Sequence, residues 1–82
     1  MKFQTRVTVS LKDGVLDPQG QTIGRALTDL GFGAVLRVNT GKLFTLEIEA
    51  ETEEEALQTA SGAASKLLAN PIIEQFKVEV NR

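Results

Sequence analysis

The chain has 82 residues, a formal charge of −2 at pH 7, and neither cysteine nor histidine. That length suits one small domain, residues 1–82, burying little more than half of its unfolded surface. The composition excludes disulfides and zinc–thiolate sites, removes the commonest general base, and carries too little charge to imply nucleic acid or an anionic membrane as partner.

Phe3, Thr5, Val7, Val9 and Leu11 alternate with Lys2, Gln4, Arg6, Thr8 and Ser10, the period of a half-buried strand. Lys12-Asp13-Gly14 ends it. The stretch Gly14-Val15-Leu16-Asp17-Pro18-Gln19-Gly20 then launches a helix. Asp17 can cap it by accepting from first-turn N–H groups, and Pro18 suits the first helical position. Gly20 is the costly choice, since glycine gives up about 1 kcal/mol to alanine inside a helix. Something must approach it closely, and the expectation is another chain. The helix runs over residues 18–30, with Ile23, Ala26, Leu27 and Leu30 forming one apolar stripe, and stops at Gly31.

Residues 34–50 return to strand. Leu36 and Val38 alternate with Arg37 and Asn39; Thr40-Gly41-Lys42 reads as a tight turn. Phe44, Leu46, Ile48 and Ala50 then share a face, completing a long hairpin. A second helix starts at Thr52, which has capping-box spacing to Glu55. Ala56, Leu57, Ala60, Ala63, Ala64, Leu67 and Leu68 form its expected buried face. Asn70-Pro71 stops it, and residues 73–80 make the last strand, with Phe76, Val78 and Val80 on one side. The predicted order is therefore β-α-β-β-α-β. This is an α+β fold, the ferredoxin-like two-layer sandwich: a four-stranded antiparallel sheet with both helices on one face. Its other face would carry Lys2, Gln4, Arg6, Thr8, Thr45, Glu47, Glu49, Lys77 and Glu79. The N-terminus lacks a signal-like apolar run, and no run nears the roughly 20 residues a bilayer needs. The cytoplasm is the expected location.

The fold hosts many functions, so function must come from residues. Gly31-Phe32-Gly33 follows a helix rather than a strand, which is wrong for a dinucleotide loop; it reads as a helix stop. Four Phe with no Tyr or Trp disfavour an RNA-stacking platform. Glu47, Glu49, Glu51, Glu53, Glu54 and Glu55 could suggest a hard-metal site. The last three, however, suit the first turn of a helix, where the dipole favours negative charge, and Glu47 and Glu49 suit a solvated strand face. Gly41-Lys42 lacks the further glycines and the following helix of a phosphate loop, leaving Lys42 as a candidate partner contact. Ser10, Ser61 and Ser65 have no activating base. The chain reads as non-catalytic, acting through its surfaces.

Several strings resemble one family in order and spacing. These are the 14–20 stretch, Ala26-Leu27 with Leu30-Gly31-Phe32, Gly41-Lys42 followed by Leu46-Glu47-Ile48-Glu49-Ala50, and Leu67-Leu68-Ala69-Asn70-Pro71-Ile72-Ile73-Glu74. Together they are similar to PurS, the small subunit of phosphoribosylformylglycinamidine synthase. Two places depart from the family pattern: Asn39 stands where an Arg is common, and residues 59–65 are rich in Ala, Gly and Ser. The resemblance implies a non-catalytic subunit in purine biosynthesis, forming dimers and bridging a glutaminase subunit to a large synthetase subunit so that ammonia passes between them. It implies that the complex uses ATP, magnesium and glutamine, while this chain binds no cofactor or metal, no nucleic acid and no membrane. The expected docking residues are Asp17, Pro18, Gln19, Gly20, Gly41, Lys42, Asn70 and Pro71, and the edges of the predicted hairpin are the expected dimer contact. A competing reading is an amino-acid-sensing regulatory domain of the same fold, binding near Gly31, Gly33 or Gly41.

Overall fold

The computed structural model describes residues 1–81. Its strands are β1 (Lys2–Leu11), β2 (Gly41–Glu49) and β3 (Glu74–Asn81). Helix α1 spans Pro18–Asp29 and α2 spans Glu53–Ala63, continued by a π-helical turn, Ala64–Leu68. The sheet has three strands in the order β2-β1-β3, with β1 antiparallel to both neighbours. Val7 sits opposite Phe44 and Val78, and Arg6 opposite Thr45 and Glu79. The expected split into an apolar and a polar face therefore holds across all three strands.

The structure departs from the expected fold in three respects. The sheet is three-stranded, not four-stranded, because residues 34–40 form no strand. That segment lies along α1 instead, and its last amide, Thr40 N–H, bonds the Asp17 carboxylate rather than a neighbouring strand. Gly41 and Lys42 are consequently not a hairpin turn. They are the first residues of β2, opposite Ser10 and Val9. The two-layer sandwich with both helices on the sheet is corrected with it. Helix α2 packs across all three strands, whereas α1 buries only Gly20 and rests on the 35–38 segment.

Residues 18–39 thus form an arm projecting from the sheet. Overall extents are 50 × 28 × 13 Å and the radius of gyration is 16.1 Å. A compact chain of this length would have a radius of gyration of about 12 Å. The core lies between the sheet and α2: Val7, Val9, Ile48 and Ala50 meet Ala56, Ala60, Ala64 and Ala69. Alanines on α2 let the helix axis approach the strands closely.

Both helices start as their sequences predict. Asp17 accepts from Gly20 N–H at 2.8 Å, and Thr52 Oγ1 accepts from Glu55 N–H at 3.1 Å. Gly31, at φ 97°, ends α1 while Phe32 N–H closes back on the Leu27 carbonyl at 2.8 Å. At the end of α2, Ala69 N–H reaches the Ala64 carbonyl at 2.9 Å, the five-residue span of a π turn. The extra residue keeps both Ala64 and Ala69 buried and turns Leu67 out to 83 % exposure, against the expectation that it lies inside.

Thr5 is the one buried polar residue of the core among the described residues, its hydroxyl donating to the Leu46 carbonyl at 3.1 Å. Thr5→Val keeps the shape and removes that bond. The expected cost is about 1 kcal/mol, read from the urea midpoint at unchanged slope.

Candidate partner interface

Strand β1 ends where β2 and β3 begin, so one end of the sheet collects three stretches far apart in sequence. Gly41-Lys42 opens β2, Asn70-Pro71 precedes β3, and the 12–20 turn leaves β1. Every sequence-predicted interface residue lies in these stretches.

Lys12 holds two of the stretches together. Its N–H donates to the Ile73 carbonyl at 2.9 Å, and its Nζ to the Pro71 carbonyl at 2.7 Å. The Asn70-Pro71 turn is also shaped from within. The Asn70 carboxamide oxygen accepts from Ile72 N–H at 3.0 Å, and Glu74 Oε1 accepts from Asn70 N–H at 2.8 Å.

Asp17 ties the turn to the start of β2. Besides Gly20 N–H, its carboxylate accepts from Thr40 N–H at 2.7 Å and from Thr40 Oγ1 at 3.0 Å. The Thr40 amide, followed by the Gly20 amide, holds the Asp17 carboxyl below its ordinary value. Gly20 sits inside this knot. A β-carbon there would overlap the Val38 carbonyl oxygen and lie 3.0 Å from the Asp17 carboxylate. The close approach inferred from the cost of Gly20 is real, and its neighbour is the same chain. Gly41 has a comparable reason: a β-carbon would fall 2.7 Å from the Val9 carbonyl oxygen.

Pro18, Gln19, Gly41, Lys42, Asn70 and Pro71 are exposed or half-buried, as is Asp17, while Gly20 is buried. Between the turn and the 37–40 segment lies an open cleft of 530 Å³, lined among others by Lys12, Asp13, Asp17, Arg37, Asn39 and Gln75. Its charges are of both signs. The Thr40 hydroxyl beside it is already committed to Asp17. Among the described residues, no three acidic side chains gather as a metal site; Glu53, Glu54 and Glu55 occupy the first turn of α2. Sequence reasoning missed the apolar members of this end, Leu16 and Ile72, exposed by 63 and 80 %. It also missed Thr40 and Lys12, whose partners lie 23 and 59 residues away.

The family model for phosphoribosylformylglycinamidine (FGAM) synthase, PurS, matches residues 4–82. The chain belongs to the PurS family. It is 40 % identical over 80 residues to the phosphoribosylformylglycinamidine synthase subunit PurS of Methanocaldococcus jannaschii, covering 98 % of this chain and 96 % of that one. The crystal structure of that PurS superposes with a TM-score of 0.87. The PurS subunit of Archaeoglobus fulgidus is 43 % identical over 72 residues, 88 % of this chain and 90 % of its own. A structure of PurLQS from Thermotoga maritima contains a chain 33 % identical, with a TM-score of 0.91 and 99 % of both chains covered. The PurS match includes all three stretches at the sheet end, and the three-stranded fold with its projecting arm is that of these PurS structures.

Proposed function

We propose that this chain is the non-catalytic small subunit of FGAM synthase, joining a glutaminase subunit to a large synthetase subunit and helping ammonia pass between them. The observation that carries the reading is the near-complete overlap with the PurS chain of the Thermotoga maritima PurLQS structure. The complex would draw on ATP, magnesium and glutamine through its larger subunits, in the cytoplasm. Keeping the two active sites in a fixed arrangement is a proximity effect, and ammonia released beside its acceptor is not lost to water.

The sheet end is the docking surface in this reading. Pro18, Gln19, Lys42, Asn70 and Pro71 present it; Asp17, Gly20 and Gly41 hold its shape from beneath. Leu16 and Ile72, both exposed, supply its apolar contacts. A homodimer accounts for the rest. Among the described residues, the outer edges of β2 and β3 pair with no strand, and the arm carries exposed apolar side chains, Leu30, Phe32 and Leu36. Sedimentation as a monomer at micromolar concentration would remove the dimer.

The test is reconstitution of glutamine-dependent FGAM synthesis from the three subunits, with and without this chain. Full glutamine-dependent rate in its absence sinks the proposal. A sharper version uses Ile72→Asp. The side chain is exposed, so the melting temperature should stay put, while affinity for the larger subunits falls about tenfold or more.

A further inference from the structure

The arm meets the strands through two chain segments. One passes through Gly14, at φ 85°, and the other through Gly41. Between them stands a single carboxylate. Asp17 takes the Gly20 amide at 2.8 Å on the arm side, and the Thr40 amide at 2.7 Å with its hydroxyl at 3.0 Å on the strand side. Among the described residues, no hydrogen bond runs from residues 18–39 to any strand. The arm holds together by itself. Val35 N–H bonds the Phe32 carbonyl at 3.0 Å, Thr28 Oγ1 the Gly24 carbonyl at 3.2 Å, and Gly20 and Gly24 lie against Val38.

We propose that Asp17 is a clasp: a positioning residue whose carboxylate cross-ties the two segments at the base of the arm and so fixes the arm's direction relative to the sheet. Capping α1 is only half of its role. A hydroxyl or carboxamide can cap a helix as well as a carboxylate can. Satisfying Gly20 N–H, Thr40 N–H and Thr40 Oγ–H together needs the reach and the several lone pairs of an ionised carboxylate. When the clasp opens, the arm pivots about Gly14 and Gly41 as a unit, while β1, β2, β3 and α2 keep their own core. The clasp is independent of which partner the arm or the sheet end meets.

The experiment is amide hydrogen exchange on the full chain, comparing Asp17→Ser and Thr40→Val with the parent. Serine keeps the cap and loses the tie. The expected result is about tenfold or greater acceleration at Thr40 and along residues 35–40, with β1, β2 and α2 unchanged. Thr40→Val retains the amide bond and loses the hydroxyl, so it should give a smaller acceleration in the same residues. Parent-like exchange at Thr40 in Asp17→Ser overturns the proposal, and so does equal acceleration throughout the strands, which would make Asp17 an ordinary stability residue. Measuring the affinity of Asp17→Ser for the larger subunits separates the two readings. A loosened arm with unchanged affinity keeps the clasp and counts against docking through this end.

Discussion

Ala60→Leu is expected to lower the melting temperature by roughly 10–20 °C. Ala56, Ala60 and Ala64 are fully buried and recur every four residues, so one alanine ridge of α2 faces the sheet above Val7 and Val9. The ridge sets the distance between helix and sheet. A leucine at its centre brings three more carbons into space already filled by strand side chains and backbone. Overfilling a packed core costs about 1–3 kcal/mol, and a small domain has only a few kcal/mol in hand. Helix propensity offers no relief, because leucine and alanine differ little there. Gln58→Leu is the control: exposed on the same helix, it should move stability by no more than about 0.5 kcal/mol. A thermal melt followed by circular dichroism checks both. Equal melting temperatures for the two variants would mean that α2 does not rest on its alanines.

The same ridge shows what kind of information the sequence carries. Periodicity reports which side of an element is buried, so β1, both helices, residues 43–50 and the last strand can all be read from it. It does not report what buries that side. The stripe Ile23, Leu27 and Leu30 reads as a helix lying on a sheet, yet α1 leans on the 35–38 segment and leaves Leu30 largely exposed. Leu36 and Val38 alternate like a strand, but a strand needs a neighbouring edge, and the Thr40 amide is held by Asp17. Leu67 reads as buried because the pattern assumes 3.6 residues per turn, and the π turn at Ala64–Leu68 breaks that period. At the candidate interface the local devices are legible: the Asp17 cap, Pro18 at the start of α1, and the stop at Asn70-Pro71. The ties that gather them, Asp17 to Thr40 and Lys12 to Pro71, join residues distant in the chain and leave no local signal.

Gly20 gives a prediction whose sign is set by two opposed effects. Gly20→Ala should loosen the arm, although alanine is the better helix former by about 1 kcal/mol. Its β-carbon would overlap the Val38 carbonyl oxygen, a backbone atom that cannot rotate aside, and would crowd the Asp17 carboxylate at 3.0 Å. Relief requires the 35–38 segment to lift from α1 or Asp17 to swing away from Thr40. Steric insertions of this kind cost about 1–3 kcal/mol, so the clash outweighs the propensity gain. Gly24→Ala, one turn later, should do the reverse. Its β-carbon would meet Val38 Cγ2 at 3.8 Å, an ordinary contact, leaving the propensity gain of about 0.5–1 kcal/mol intact. Hydrogen exchange along residues 18–40 should therefore quicken in Gly20→Ala and slow in Gly24→Ala. If the sheet end docks the larger subunits, only Gly20→Ala should also weaken the complex. If both variants slow exchange, the arm does not close against Val38, and the need for glycine at position 20 has to be sought in a contact outside the chain.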